Sequence, residues 1–338
     1  MRDFLRRRAG TPVDQVPTLS FGSWDELPPS DPLVIVVCHP DWRGVRTAAY
    51  SFREPVVESA DLGQWGDALI AEMAAHDVDV VVLHGFPPGS AGFLEKANRG
   101  GLRTRVVLYS SMAQHGAEAG EAAVADEVLA LARSEVLDRV GFAKAGLAES
   151  FVALGYPAFY VPTRAPDLPE VARHDFDPGL HIGVFAEPFW RKNVVTQLGA
   201  VALLDDATAH AMRRPDVGYL DDLRIVEHGE MPWETFLSLQ ASMDLNLYVT
   251  LSECQPLTPV ESYLSGVPAL MSRTSSVFRD DPRLWELTTV EVPDDPSEIA
   301  AGARRLLDDQ DEAIERARQW IDRADADAAT RWRAFVAG

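Results

Sequence analysis

The chain has 338 residues, 46% of them hydrophobic and 25% charged, an ordinary globular composition whose length suggests two domains. Lysine and arginine total 31 against 52 acidic residues, a formal net charge of -21, so the long-range field repels phosphate backbones and anionic lipid and disfavours a nucleic-acid partner, while leaving room for one local anion site. No apolar run approaches the roughly 20 residues that span a bilayer, which argues against an integral membrane protein.

The start, "MRDFLRRRAG", has the charges of a signal peptide without its apolar stretch, and a cytoplasmic protein is expected. It reads first as a short frayed terminus. The other reading is a peripheral membrane contact, with Phe4 and Leu5 in the lipid and Arg2, Arg6, Arg7 and Arg8 on headgroups. The two cysteines, Cys38 and Cys254, form neither a metal-ligand spacing nor a disulfide framework and fit a reducing compartment.

"PLVIVVCHP" (32–40), "DVDVVVLHG" (77–85) and "LRTRVVLYSS" (102–111) are short apolar, β-branched runs that predict buried strands. Helical spacing appears at 61–76, 90–101, 121–135 and 143–157, with strands at 137–142 and 158–162. Strands alternating with helices predict a parallel sheet covered on both faces. "PTRAPDLPEVARHDFDPG" (162–179) is rich in proline and charge and has no periodicity, so it reads as a linker between domains. The alternation then restarts, with strands at 180–185, 222–229, 243–249 and 267–272 and helices at 192–206, 232–242 and 258–266. Long helical patterns at 296–309 and 311–338 close the chain. The fold class is therefore α/β. Two Rossmann-like domains are expected, over 1–165 and 180–310, joined by a linker at 166–179, with parallel sheets facing across a cleft where ligands of such folds bind.

"LNLYVTLSECQPLTPVESYLSGVP" (245–268) is the most informative stretch. An apolar strand runs into a tight turn, and seven residues separate two carboxylates, Glu253 and Glu261. One reading is a capping box, with Thr258 as N-cap, Pro259 as the first helical residue and Glu261 merely satisfying a backbone N–H. The other is a ligand site. Free N–H groups at a helix start hold a phosphate, Glu261 accepts hydrogen bonds from a ribose diol beside it, and Glu253 faces whatever the phosphate carries.

This E-x(7)-E spacing, between "DLNLYVTLS" and "YLSGVPALMS", resembles the donor-binding signature of retaining GT-B glycosyltransferases, particularly family four. Glu253, Leu257, Glu261, Gly266 and Pro268 fall in register with it. Lys192 in "WRKN", beginning a helix that follows the first strand of the second domain, also matches that family's order of parts. The resemblance is good over 180–309 and general elsewhere. Two departures stand out: Cys254-Gln255-Pro256 replaces the family's Gly-Phe-Gly, and Gly183-Val184 replaces its Gly-Arg, leaving Arg191 as a substitute cation.

The resemblance implies a two-domain GT-B fold whose terminal helices (311–338) cross back to the first domain. It implies a retaining, front-face transfer from a nucleoside-diphosphate sugar, with no metal and no cofactor. Lys192 and Arg191 neutralise the leaving diphosphate, and Glu253 and His84 lie at the reacting sugar. Gln255, Leu257, Thr258 and Glu261 complete the donor site, together with Gly44 and Arg46 (or Arg43) of the glycine loop in "HPDWRGVRTAAY" and with His115. Ordinary turn roles for Gly44, His84 and His115 are the alternative. The acceptor is a small molecule, a glycan or a protein. Other classes compatible with the residues are a catalytically silent GT-B-like nucleotide- or partner-binding protein, and a sugar-nucleotide epimerase or phosphorylase of the same fold.

Overall fold

The computed structural model describes residues 17–337; the arginine-rich start lies outside the described residues. The chain divides into two compact units. The first comprises residues 17–109, 118–161 and 331–337, and the second residues 110–117 and 162–330.

The first unit is built on a seven-stranded sheet. In chain order its elements are β1 (Thr18–Leu19), β2 (Val34–Cys38), α1 (Arg43–Ser51), β3 (Val56–Glu58), α2 (Leu62–Ala75), β4 (Val80–His84), α3 (Ser90–Arg99), β5 (Arg103–Leu108), α5 (Ala119–Arg133), β6 (Arg139–Phe142), α6 (Ala145–Ala153) and β7 (Ala158–Tyr160). A short helix, α4 (Met112–Ala117), follows β5 in the chain and belongs to the second unit. The sheet order is β1-β3-β2-β4-β5-β6-β7, parallel except for β1 against β3. Every residue of β2 and β4 is buried, as expected for continuous apolar runs covered on both faces. Helix α2 begins as its sequence dictates: the Asp61 carboxylate accepts from the Gly63 N–H at 2.7 Å. Trp332, Phe335 and Val336 of the terminal helix pack against Val34, Val36, Phe52 and Val161. Fully buried Arg105 donates to the Phe335 carbonyl and to Asp138, a partly exposed carboxylate just before β6 that pairs its charge.

The second unit contains β8 (Leu180–Val184), α7 (Val194–Val201), β9 (Ala207–Ala211), β10 (Ile225–Glu227), α8 (Trp233–Ala241), β11 (Leu245–Tyr248), α9 (Leu257–Leu264), β12 (Ala269–Ser272), α10 (Pro282–Thr288), β13 (Thr289–Val290), α11 (Pro296–Asp308) and most of α12 (Gln310–Ala337). Its six strands are all parallel, in the order β10-β9-β8-β11-β12-β13. The stretch 162–179 carries no helix or strand, yet Leu168, Val171 and Phe176 pack on the cluster around Phe185 and Phe236. Gly183 is fixed by close packing of β8 on β11: a Cβ there would lie 2.1 Å from Asn246 Oδ1 and 2.6 Å from the Phe185 ring. Ala313, Ala317 and Ile321 of α12 join this unit's main core.

Candidate functional site

The carboxyl ends of β8 and β11 carry the chemistry of the second unit. After β8, a 3-10 turn (Trp190–Lys192) ends at Asn193, whose left-handed backbone (φ 54°) separates it from α7. Lys192 therefore closes a turn ahead of the helix and does not start it. Its place is fixed by two buried amides. Asn193 Nδ2 donates to the Val249 carbonyl at 3.2 Å, and Gln197 Nε2 to the Lys192 carbonyl at 2.7 Å. Gln197 Oε1 in turn accepts from the Val249 N–H at 2.9 Å. The Leu251 N–H donates to the Arg191 carbonyl at 2.8 Å, so the loop leaving β11 is laced to the turn leaving β8.

This lacing brings four side chains together. Glu253 Oε2 accepts from Lys192 Nζ at 2.6 Å, from the Tyr248 hydroxyl at 3.1 Å and from Arg191 Nη1 at 3.4 Å. Lys192 Nζ also donates to the Tyr248 oxygen and lies 4.6 Å from the centre of its ring. The side chains of Arg191, Lys192 and Glu253 are 18%, 14% and 11% exposed, so the cluster is sheltered but reachable. Burial works against charge on Glu253, but Lys192 and then Arg191 outweigh it and hold the carboxyl below its usual range. Burial presses on the Lys192 ammonium as well, and there Glu253 outweighs it and holds the amine above its usual range. Burial, then Glu253, pushes the Tyr248 phenol up, so it stays protonated as a donor. The result is a cluster of two cations and one anion with one positive charge in excess.

Eight residues on, Glu261 is 4% exposed and accepts from Trp233 Nε1 at 2.9 Å. Helix α9 does not begin where a capping box would start it. Pro256 is the N-cap and Leu257 the first helical residue, Thr258 makes no cap, and Glu261 sits in the second turn facing α8. The capping-box reading is thus overturned. A proline is as comfortable in the third helical position as in the first, since neither place needs its missing N–H. The cost falls on the anion site. Pro256 and Pro259 carry no N–H, so of the four amides from N-cap to third position only those of Leu257 and Thr258 point forward. The helix ends as its sequence predicts. Gly266 takes φ 79°, its N–H donates to the Tyr263 carbonyl, and the Val267 N–H donates to the Ser262 carbonyl.

No family model matches the chain, and no curated protein matches it in sequence. Solved structures do. A sucrose-phosphate synthase from Thermosynechococcus elongatus superposes with a TM-score of 0.64 at 12% identity, covering 89% of this chain and 98% of that one. A UDP-forming alpha,alpha-trehalose-phosphate synthase from Burkholderia xenovorans in complex with glucose-6-phosphate gives 0.58 at 13%, with 89% and 98% covered. An E. coli trehalose-6-phosphate structure bound with UDP-2-fluoro glucose gives 0.57 at 12%, with 90% and 98% covered. The fold is GT-B.

Within this GT-B fold the remaining expected residues are distributed unevenly. Gln255 turns away from the loop mouth: its side chain accepts from the Thr163 N–H at 2.7 Å and donates to the Thr163 carbonyl at 3.0 Å, as a neighbouring strand would. His115 lies on α4, which belongs to the second unit, and its Nε2 is 2.9 Å from the Ser110 hydroxyl. The adjacent Ser111 hydroxyl meets that of Ser252, one residue before Glu253, at 2.7 Å.

Gly44 and Arg46 stand in the first unit. Gly44 is the second residue of α1, not part of an open loop, and a Cβ on it would meet nothing within 4 Å. The Arg46 charge is taken by Glu58 at 2.7 Å, which also accepts from the Tyr50 hydroxyl at 2.7 Å. His84 ends β4 with no exposed surface, ringed by Phe52, Tyr109 and Trp332. Its Nδ1 meets the Tyr109 hydroxyl at 2.6 Å, Nε2 has no hydrogen-bond partner among the described residues, and burial pulls its pKa down to about 3. A neutral imidazole so enclosed has no face to offer a sugar, so it is a core histidine here.

Sequence reasoning missed Tyr248, Trp233, Asn193 and Gln197. The first two lie in stretches expected as a strand and a helix, and the amides in the helix expected at 192–206, with no spacing that marks any of them. Only tertiary structure gives them their contacts: the lacing of β8 to β11 for Tyr248, Asn193 and Gln197, and the packing of α8 on α9 for Trp233.

Proposed function

We propose that this chain is a retaining glycosyltransferase that binds a nucleoside-diphosphate sugar on its second unit and transfers the sugar to a small-molecule, glycan or protein acceptor. The observation that carries this reading is the arrangement around one loop. Lys192 and Arg191 stand on one side, Glu253 lies in the loop, and Glu261 is in the helix that follows. The two cations, aided by the Leu257 and Thr258 amides, stabilise the charge that grows on the departing diphosphate and take the place of a metal. Such preorganised charge is the main source of rate in group transfer. Glu261, held in place by Trp233, offers its carboxylate to the ribose diol. Glu253 meets the donor sugar, and front-face departure and attack give retention. The E-x(7)-E spacing supports a family-four type of donor grip, and the likeness to structures holding UDP-2-fluoro glucose and glucose-6-phosphate supports the substrate class.

A second reading has its own observation. Gln255, at the family's phenylalanine position, is spent on the Thr163 backbone, and Pro256 removes an amide where the resembling family has a glycine. A silent GT-B protein that binds a nucleotide without turnover fits that loss. Incubation with UDP-, GDP-, ADP- and TDP-sugars and a panel of sugars and sugar phosphates, read as acceptor-dependent release of nucleoside diphosphate, separates the two. Turnover lost in Lys192→Ala supports the transferase. Nucleotide binding with no release under any acceptor supports the silent protein.

A further inference from the structure

The Lys192 cluster holds a residue that neither the spacing of the carboxylates nor the roles above employ. Tyr248 ends β11, is 7% exposed, and touches both ions of the pair. A phenol has one O–H to donate and two lone pairs to accept with. Here the O–H goes to Glu253 and a lone pair takes Lys192, while the ring lies under the ammonium. We propose that Tyr248 is the positioning residue of the diphosphate subsite: it keeps Glu253 seated when Lys192 exchanges that carboxylate for the phosphate of a nucleoside diphosphate. The inference rests on the donor-site reading above.

At rest Lys192 is already neutralised by Glu253 at 2.6 Å, so an incoming diphosphate competes with a sheltered carboxylate for the same ammonium. A carboxylate stripped of a donor in a low-dielectric site pulls the cation back. Three donors converge on Glu253 Oε2, and when Lys192 turns to phosphate the hydroxyl of Tyr248 stays. It carries no charge, so it has no charge–charge attraction to the phosphate, and its ring is buried at the end of β11. The burial that keeps the phenol protonated keeps it a donor throughout.

The chain makes this testable because it has three lysines, Lys96, Lys144 and Lys192. In protein labelled with 15N-lysine, the Lys192 ammonium is identified by its loss in Lys192→Arg, and exchange of its protons with water is measured in wild type and Tyr248→Phe. Loss of a hydrogen bond to a charged group is expected to speed that exchange about tenfold. Titration with inorganic pyrophosphate and with UDP is expected to give affinities about tenfold weaker in Tyr248→Phe. The phenylalanine keeps the ring, and an unchanged unfolding midpoint separates positioning from general loss of structure. If Tyr248→Phe does not fold, Tyr248→Trp, which returns an N–H donor, takes its place and is expected to keep affinity closer to wild type than Tyr248→Leu. Ligand binding by the wild type with unchanged exchange and affinity in Tyr248→Phe overturns the role of Tyr248 alone. A wild type that binds neither pyrophosphate nor any nucleoside diphosphate overturns the donor-site reading, and the exchange with it.

Discussion

Replacing Lys192 with methionine removes the cation 2.6 Å from Glu253 and keeps most of the side chain's volume. Breaking a buried ion pair from one side typically costs about 3–5 kcal/mol, because the other charge is left unpaired. Here Arg191 remains at 3.4 Å and Tyr248 at 3.1 Å, and the Glu253 side chain is 11% exposed, so about 2–3 kcal/mol is expected. In the wild type the pair lowers the Glu253 pKa, a contribution fully present above the unfolded carboxyl value and lost as pH falls through the folded one. With Lys192 gone, burial raises the carboxyl instead, so the sign reverses: the penalty is largest at neutral pH and fades as acid protonates Glu253. Urea unfolding of wild type, Lys192→Met and Lys192→Met/Glu253→Gln, at neutral pH and at about pH 5, reads this directly. The double variant is expected to regain roughly half of the loss, since the uncompensated charge is gone. A single variant within about 0.5 kcal/mol of wild type, or a double variant no better than the single, refutes the coupling.

Two further substitutions test the local geometry. Thr258→Ala is expected to change stability by less than about 0.5 kcal/mol, because Thr258 caps nothing; a loss of about 1 kcal/mol or more would restore the capping box. His84 is held neutral by burial, with its pKa lowered from 6.5 to about 3. Its folded value lies below its unfolded one, so its contribution is complete above about pH 6.5 and lost as pH falls toward 3, at up to about 1.4 kcal/mol per pH unit. His84→Gln is expected to flatten that limb of the stability–pH curve, and an unchanged slope would contradict the burial argument.

The architecture was legible because strands covered on both faces must be apolar throughout. "VIVVC" and "VVVLH" permit little else. Strand β9, "ATAHA", was not legible: its residues are small or polar, and it is a strand because β8 and β10 pair with it on either side. Strands β3 and β13, at three and two residues, are too short to show a period. Helix α1 was masked by its glycine and lack of a capping side chain, which made "HPDWRGVRTAAY" look like a phosphate loop. Within the candidate site, sequence spacing identified Glu253, Glu261 and the Arg191-Lys192 pair, because a motif survives as residue types at fixed offsets. What spacing cannot carry is who holds whom. That Glu253 neutralises Lys192, that Trp233 takes one oxygen of Glu261, and that Gln255 is tied to Thr163 all depend on side chains 28 to 92 positions apart.

The central claim is that the Glu261 end of this loop grips the ribose of a nucleoside diphosphate. Calorimetric titration of UDP, GDP, ADP and TDP into wild type and Glu261→Gln tests it most directly. The account expects one of the four to bind the wild type and to weaken about ten- to hundredfold in the variant, the loss of hydrogen bonds to a charged acceptor. Pyrophosphate, which has no ribose, is expected to bind both alike. Absence of binding by all four nucleotides to the folded wild type, or equal binding to the variant, would contradict it.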